Sequence, residues 1–409
     1  MGNFLTFVIV FFSFTFSWAQ ITIESYDTVE FNQELIVTGG FDYSASSIEK
    51  DIMSKFYRGG VIDNSMKERS LNKHENVNRI GLDVGAEVFY RNFTTPYLSA
   101  KNLGVQIQFG AYNFGGILYS DDLFGLAFYG NEMYLGDTID FSGTNVSFTS
   151  FQKVGFGLIN STTKSSLSLN VYNISNRVIG GFRGCSLSQS TDGMNVNLTM
   201  DGFFELRQST KFSQGLGVGL DLDYRFSLPW YKNRAAHIQF LAKNVGVGFM
   251  TEPQRRYRMD TTIEYSGFRF DQIIGDNAIL SAESAILLDS LGIESTDVKS
   301  VFMLPGFIQV GKMIDENSQF KVQTFFGARI YPSLIYNPFI YGGIDFKPFD
   351  WLHAGASASF GGFAGFKTGL YVNLNWNKIQ AGFGTDNIVG LVHKSGNGES
   401  FFIRLKCRL

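Results

Sequence analysis

The side chains that most often carry catalysis or bind metals are few in this sequence. The four histidines are His74, His237, His353 and His393. They form no H-x-x-x-H spacing and no His/Asp pattern of a metal site, and no G-x-S-x-G nucleophile elbow occurs. Two cysteines, Cys185 and Cys407, exclude a multi-cysteine zinc or iron–sulfur site. We therefore expect no catalytic residues, no bound metal and no cofactor.

Charged side chains recur at every second position in several apolar segments. From Arg79 to Tyr90, and again from Gly215 to Phe226, apolar residues alternate with glycine and charged residues. A period of two places the two classes on opposite faces of a β-strand. If the apolar face meets lipid, the charges face a barrel lumen. The candidate lumen charges are Asp83, Glu87, Asp221, Asp223, Arg225, Arg404, Lys406 and Arg408. They either line a polar path or hold a plug by ion pairs, or they are paired charges of the wall.

The densest basic run is Arg255-Arg256-Tyr257-Arg258. Guanidinium groups bind phosphate through two parallel hydrogen bonds. If this run lies in an extracellular loop of a membrane protein, we expect Arg255, Arg256 and Arg258 to contact the phosphates of lipid A. If it lies on the periplasmic side, it is an exposed turn or a docking surface.

The strands that would position these residues are long. Segments with a period of two reach about 12 residues, whereas globular strands average about five or six and tilted membrane strands need about 9 to 11. About 14 to 16 such segments follow one another from Glu34 to Leu409. We predict an all-β fold, a transmembrane antiparallel β-barrel of about 14 strands with short inserted helices. A large β-sandwich is the alternative.

The composition agrees with strands in lipid. Among 409 residues, 45 are Gly and 42 are Phe, and charged residues make up 17%, below the roughly 25% of soluble domains. A formal net charge of −3 removes the argument for nucleic acid as the main partner. Outside the N-terminus, no apolar run approaches the roughly 20 residues of a transmembrane helix.

The N-terminus has the features of an export signal. An apolar core at residues 4–16 is followed by the small-x-small pattern Ser17-Trp18-Ala19. This pattern predicts a cleavable signal peptide at residues 1–19, with a membrane anchor as the alternative. We expect residues 20–409 to form a single barrel domain in the bacterial outer membrane.

Two insertions, at residues 43–78 and 274–300, interrupt the strand pattern. In the first, Ser46 to Glu49 have the residue types of a capping box, and Gly59-Gly60 ends an apolar pattern at helical spacing. The predicted helix carries the apolar residues Ile48, Ile52, Met53 and Phe56. It is either a plug or lid of the lumen or a loop helix packed on the rim. The second insertion contains another helical pattern that ends at Gly292, and we expect it to cover part of the barrel.

Three short motifs together resemble a known family. The first is Gly59-Gly60-Val61-Ile62-Asp63-Asn64. The second is Tyr265-Ser266-Gly267-Phe268-Arg269-Phe270, followed by Leu288-Asp289-Ser290-Leu291 and Leu304-Pro305. The third is Gly382-Phe383-Gly384-Thr385-Asp386-Asn387-Ile388-Val389-Gly390. They resemble a family of Bacteroidota outer-membrane β-barrels that is FadL-like in shape and mostly without assigned function. The resemblance implies a monomeric barrel with an N-terminal segment inside or over the pore. The chain lacks the Asn-Pro-Ala motif of FadL-type fatty-acid transporters near its mature N-terminus.

Two hypotheses for the function follow. The first is a non-enzymatic accessory or structural subunit of an outer-membrane complex that assembles or secretes proteins. It rests on the covered barrel ends, the missing Asn-Pro-Ala motif and the lack of a recognisable ligand site. The second is a FadL-like transporter of small hydrophobic molecules. The expected partners are the lipid bilayer and lipopolysaccharide, other outer-membrane proteins or surface lipoproteins and, for the second hypothesis, a hydrophobic small molecule.

Overall fold

The computed structural model describes residues 25–27, 31–94, 102–229, 235–266 and 292–409. The expected signal peptide and residues 274–291 of the second insertion lie outside these ranges.

The described part of the chain is mainly β-structure. The first seven strands are β1 (Ser25–Tyr26), β2 (Gln33–Ala45), β3 (Asn78–Asn92), β4 (Leu103–Tyr119), β5 (Thr138–Asp140), β6 (Asn145–Asn160) and β7 (Ser166–Gln189). The next seven are β8 (Asn195–Arg207), β9 (Gly215–Pro229), β10 (Ala235–Met250), β11 (Gln254–Ser266), β12 (Ile293–Val298), β13 (Val301–Met303) and β14 (Phe307–Lys312). The last seven are β15 (Ile314–Asp315), β16 (Val322–Ile330), β17 (Asn337–Phe349), β18 (Leu352–Gly362), β19 (Lys367–Asn375), β20 (Ile379–Thr385) and β21 (Gly398–Arg408). The helices are α1 (Lys50–Arg58), α2 (Asn64–Leu71), α3 (Asp121–Tyr129) and α4 (Ile388–Val392), and a 3₁₀-helix covers Glu132–Tyr134.

The strands close into an antiparallel barrel with 14 positions in its wall. The order around the wall is β2, β3, β4, β6, β7, β9, β10, β14, β16, β17, β18, β19, β20 and β21. The last of these strands pairs with β2, which completes the ring. The prediction of an antiparallel barrel of about 14 strands with short helices is confirmed.

Side chains alternate between the inside and the outside of the wall. On β9, Leu216, Val218 and Leu220 are exposed on the outer face, whereas Asp221 and Asp223 are buried on the inner face. This is the period of two that the sequence carries. The inner face is therefore polar and packed, and the outer face is apolar and open.

One part of the wall continues beyond the barrel. Strand β7 has 24 residues; it pairs with β9 up to Ile174 and with β8 from Ile179 onward. Strand β8 also pairs with β11, which pairs with β12. We call β5, residues 179–189 of β7, β8, β11 and β12 the extension sheet. Because a tilted strand crosses a bilayer in about 9 to 11 residues, this sheet projects past a wall of that height.

The two ends of the barrel differ. At the lower end, where β2 begins and β21 ends, the connections include the short turns at residues 350–351 and 376–378. At the upper end lie the long connections, such as residues 46–77 and 120–144. Among the described residues, no helix has the length and the apolar character that a membrane crossing requires.

The first insertion contains two helices rather than one. The capping-box prediction is wrong, because α1 begins at Lys50 and no side chain caps it. Ser46 instead accepts a hydrogen bond from the backbone N–H of Arg79 at 2.9 Å. The second helix, α2, is capped by Asp63, whose carboxylate accepts from the N–H of Met66 at 2.9 Å.

The second insertion is not wholly helical. Residues 293–298 form β12 and pair with β11, so this end of the insertion belongs to the extension sheet. A further helix, α3, was not expected from the sequence. It begins after Ser120, whose hydroxyl accepts from the N–H of Leu123 at 3.2 Å, and it ends at Gly130, which has φ +78°.

Candidate functional site

A buried cluster of ion pairs crosses the middle of the barrel. Lys153 Nζ on β6 lies 2.5 Å from Glu87 Oε1 on β3 and 2.6 Å from Asp221 Oδ2 on β9. Lys243 on β10 pairs with the other oxygen of Glu87. Because β4, β6, β7 and β9 separate β3 from β10 in the wall, the pair of Glu87 with Lys243 spans the interior. We call Glu87, Lys153, Asp221 and Lys243 the middle cluster.

Neighbouring polar groups complete the middle cluster. Lys153 Nζ donates to Asn244 Oδ1 at 3.0 Å, and Gln108 donates to Asp221 at 2.9 Å. The backbone N–H of Asn244 also donates to Asp221, at 2.7 Å. Asn244 has φ +54° at a bulge in β10, a conformation that asparagine tolerates better than most residues. The bulge thus aims a backbone donor at a buried carboxylate.

Aromatic side chains close the upper end of the interior. The upper aromatic cluster consists of Phe114, Tyr331, Ile335, Tyr336, Phe339 and Phe363. The ring of Tyr331 stacks on Phe114 at 4.6 Å, and its hydroxyl donates to Asp83 at 3.0 Å. Phe363 lies against Gly81, where a Cβ would be 2.1 Å from its ring. The connections at residues 331–336 and 363–366 therefore fold inward and fill this level.

The N-terminal segment fills the lower end. Strand β1 pairs with β15, and Tyr26 stacks on His237 with ring centres 3.6 Å apart. Asp27 is buried and pairs with Arg408 and, at 3.3 Å, with Lys406. A buried carboxylate costs less free energy when cations lie beside it. Residues 25–27 are thus held inside the wall by charge as well as by packing.

A small cavity with a mixed polar and apolar lining remains between these levels. Its volume is about 80 Å³, and its lining includes Asp83, Asp223, Arg329 and Gln239. This volume has room for a few water molecules and is well below the roughly 300–1,000 Å³ of typical small-molecule pockets. Among the described residues, no group of three or more His, Cys, Asp and Glu side chains is arranged to hold a metal ion.

The sequence matches the profile of DUF5723, a family of unknown function, over residues 35–386. The chain belongs to the DUF5723 family.

Solved structures give weaker likenesses to this DUF5723 chain. The crystal structure of the P. putida toluene transporter TodX is 9% identical, with a TM-score of 0.38, and the match covers 93% of this chain and 91% of that one. A TodX deltaS2S3 mutant monoaromatic hydrocarbon channel is 8% identical, with a TM-score of 0.39 and coverages of 97% and 96%. The translocator domain of the autotransporter NalP from Neisseria meningitidis is 7% identical, with a TM-score of 0.31 and coverages of 94% and 91%. At such low identities and TM-scores, the function of these proteins cannot be inferred for this chain. No curated protein matches the chain.

The eight lumen charges expected from the sequence all lie on the inner face of the DUF5723 barrel, but at different levels. Glu87 and Asp221 belong to the middle cluster. Asp83 lies below the upper aromatic cluster, and Arg404 lines the small cavity. The remaining residues are Asp223 and Arg225, which pair at 2.5 Å, and Lys406 and Arg408 at the lower end. The structure therefore gathers them into several clusters rather than one site.

Sequence reasoning missed most of the partners of these charges. Lys153 and Lys243 complete the middle cluster. Nearer the upper end, Lys367 pairs with Asp42 at 2.9 Å, both fully buried. Toward the lower end, Asp345 accepts from Tyr371 at 2.7 Å and lies 2.9 Å from His353 Nδ1. All of these residues lie at inward-facing positions of their strands. The alternation of side chains along each strand could therefore have identified them as lumen residues.

The helix expected as a plug or lid lies on the upper rim. Ile48, Ile52 and Met53 pack with Ala45, Tyr119 and Phe124 and not with the upper aromatic cluster. Ile48 precedes α1 rather than belonging to it. Phe56 is 61% exposed. The three packed residues therefore cover the ends of β2 and β4.

The arginines expected to contact lipid phosphates lie on β11 of the extension sheet. Each has a carboxylate of the same chain beside it. Arg255 lies 3.0 Å from Asp297, Arg256 lies 2.7 Å from Glu205, and Arg258 lies 3.6 Å from Asp260. Phosphate contact at these positions would have to compete with these pairs.

His74 joins α2 of the first insertion to β4 and α3. Its Nδ1 lies 2.7 Å from the carbonyl oxygen of Ser70, and its Nε2 lies 3.1 Å from the hydroxyl of Tyr119. Its ring packs on Phe124 at 4.1 Å. Burial lowers the pKa of His74 below its usual 6.5, although the Ser70 carbonyl and Asp121 oppose the change.

The lowered pKa of His74 predicts that the first insertion becomes less stable as the pH falls. The unfolded insertion binds a proton more readily than the folded one, so its stability is complete above about pH 6.5 and declines as the pH falls below it. We expect faster hydrogen–deuterium exchange in residues 46–77 at about pH 5.5 than at about pH 7.5, after correction for intrinsic rates. A His74→Gln variant should remove this difference.

Glu49, another buried group of this insertion, affects its stability only at a lower pH than His74 does. Burial alone would raise its pKa, but hydrogen bonds from Lys73 and Arg69 keep the pKa below 4.5. Its contribution to stability is therefore complete above about pH 4.5 and is lost only under more acidic conditions. If His74→Gln loosens between about pH 7.5 and 5.5 as much as the natural sequence does, His74 is not the titrating group.

Proposed function

We propose that this DUF5723 barrel is a non-enzymatic outer-membrane protein with a closed interior, and that it serves as an accessory or structural subunit of a complex that assembles or secretes proteins. The middle cluster carries the proposal. Its charges join β3, β6, β9 and β10 across the axis, where a pore would need continuous water. A conducting path along the axis would have to separate these paired charges, and a charge left unpaired inside the barrel is strongly unfavourable.

The outer-membrane location is part of the proposal. The apolar outer face of the wall supports a lipid environment, since exposed residues such as Leu169, Val218 and Ile344 would lose contact with water there. Export would use the signal peptide at residues 1–19. The lipid bilayer and lipopolysaccharide are then partners by location.

Transport of small hydrophobic molecules is less well supported. A passage for such molecules needs a continuous apolar lining, whereas charged and amide groups such as Asp83, Arg329 and Gln239 interrupt the apolar lining of this cavity. Moving an apolar solute past buried charges would replace their hydrogen bonds with apolar contacts. We therefore retain the subunit hypothesis alone.

Measurements of conductance and native mass test the two parts of the proposal. In planar bilayers, the purified barrel should give no steady open-channel current, because the interior is closed at three levels. Gentle extraction from native membranes should release it in a particle with a protein mass larger than that of one barrel chain. An open porin of similar strand number serves as the positive control for conductance. A steady current contradicts the closed interior, and a lone barrel contradicts the subunit role.

A further inference from the structure

An open groove lies at the lower end of the barrel. It runs between residues 318–321, which precede β16, and residues 347–351, which lead from β17 to β18. Its volume of about 470 Å³ is within the roughly 300–1,000 Å³ of typical ligand pockets, whereas the cavity inside the barrel is far smaller. The groove therefore has room for a ligand that the interior does not have.

The groove begins where the apolar outer face of the wall ends. Val322 on β16 pairs with Phe346 on β17, and both side chains are exposed on the outer face. One residue farther down, Lys321 and Lys347 line the groove. A lipid whose acyl chains lie along Val322 and Phe346 would therefore place its head group in the groove.

Aromatic side chains mark this level as a membrane boundary. Phe320, Phe349 and Trp351 line the groove and are exposed. The rings of Phe349 and Trp351 stack with their centres 5.6 Å apart. Girdles of aromatic residues flank the apolar band of transmembrane barrels, and the short turns of such barrels lie on the periplasmic side. The groove therefore matches the head-group level of the periplasmic leaflet.

Two like charges lie side by side in this groove. The backbone N–H of Lys347 donates to the carbonyl oxygen of Lys321 at 2.7 Å, so the two residues are opposite each other, an arrangement that destabilises a sheet. Lys347 Nζ lies 3.1 Å from Asp350 and donates to the carbonyl oxygen of Glu316 at 3.3 Å. Lys321 is exposed and has no ion-pair partner among the described residues. Two lysines and one aspartate leave the groove with a net positive charge, which an anion would neutralise.

The local backbone holds these charges in place. The pairing of β17 with β18 shifts between Phe346 and Phe349, and Pro348, which has no N–H to donate, lies within this bulge. Bulges at the rims of barrels redirect side chains. The two lysines therefore belong to a fixed rim and not to a long loop.

We propose that this groove binds the head group of an anionic glycerophospholipid of the periplasmic leaflet. The phosphate lies at Lys321, because an ammonium group forms charge-assisted hydrogen bonds with phosphate oxygens, and the acyl chains lie along Val322 and Phe346. The inference goes beyond the subunit role and rests only on the membrane location in the proposed function. A lipid held here would fix the height of β16 and β17 in the bilayer.

Native mass spectrometry of the purified full-length barrel in detergent tests the site. Titration with phosphatidylglycerol should give one tightly bound lipid per barrel, and phosphatidylcholine with the same acyl chains should bind more weakly. Lys321→Gln should weaken the binding of phosphatidylglycerol roughly fivefold. The matched control is Lys378→Gln, since Lys378 is exposed on the other short turn of the lower end and does not line the groove. It should leave the binding unchanged.

Asp350→Asn changes the binding in the opposite direction. It removes the carboxylate beside Lys347, so phosphatidylglycerol should bind a few-fold more tightly, which a folding defect would not produce. Equal losses with Lys321→Gln and Lys378→Gln would mean diffuse attraction to the lower end, and equal binding of the two lipids would mean that the groove does not select charge. Either result, or a barrel that retains no lipid, overturns the site. None of them affects the subunit role, which the mass of the particle from native membranes tests separately.

Discussion

Replacing Lys153 with methionine should lower the free energy of unfolding by about 3–5 kcal/mol. Lys153 is fully buried and contacts Glu87, Asp221 and Asn244 within 3.0 Å. Methionine fills most of the same volume but offers no charge, so Asp221 loses its ion-pair partner inside the barrel. Denaturant titration in detergent, followed by the circular dichroism of the strands, measures the change.

An exposed ion pair of the same chain provides the matched control. Arg183 and Asp201 lie 2.9 Å apart on the extension sheet, where Arg183 is 75% exposed. Arg183→Met should cost about 0–1 kcal/mol, because water and salt screen an exposed pair. Equal effects of Lys153→Met and Arg183→Met would show that the middle cluster does not hold the barrel closed.

Double substitution separates the charge from the volume. In Lys153→Met with Asp221→Asn, the buried carboxylate that lost its partner is itself neutral. We expect part of the lost stability to return, which gives a negative coupling energy in a double-mutant cycle. Losses that simply add would contradict this account.

The sequence predicts the inner face of each strand but not the pairs across the barrel. Alternation places Glu87 and Asp221 on the inner face, and the same rule applies to Lys153 and Lys243. Which of them meet depends on the register of strands that are not adjacent in the wall. Contacts such as Glu87 with Lys243, at a sequence separation of 156, leave no local pattern.

The extension sheet could not be separated from the wall by pattern alone. Strands β8 and β11 alternate as barrel strands do, and the total number of long strands fits a barrel either way. Only the pairing shows that β8 stands above β9 rather than beside it. Likewise, Ser46 to Glu49 match a capping box, but Ser46 bonds to the start of β3 instead. In this segment a tertiary hydrogen bond replaces the helix cap that the local sequence predicts.

Replacing Phe363 with alanine should open the upper end of the interior. The Phe363 ring is buried in the upper aromatic cluster and fills the space left by Gly81 on β3 and Gly116 on β4, which pair with each other. Its removal should cost about 3–5 kcal/mol and should increase access of a small thiol reagent to a cysteine placed at Ser359, a buried inner-face residue. The control is Phe366→Ala, because Phe366 is 63% exposed on the same connection and should change stability by no more than about 0.5 kcal/mol.

Gly81 gives an independent test of the same contact. A Cβ at Gly81 would lie 2.1 Å from the ring of Phe363 and would meet no other nearby group first. Gly81→Ala should therefore displace the ring and reproduce much of the effect of Phe363→Ala. In the Phe363→Ala background the added methyl group meets open space, so Gly81→Ala should cost little there. Two independent substitutions would have additive effects. Non-additive effects would therefore show that the contact between the Phe363 ring and Gly81 closes the upper end. If the two costs do add, the upper end is closed by the rest of the cluster, and Phe363 serves only to pack it.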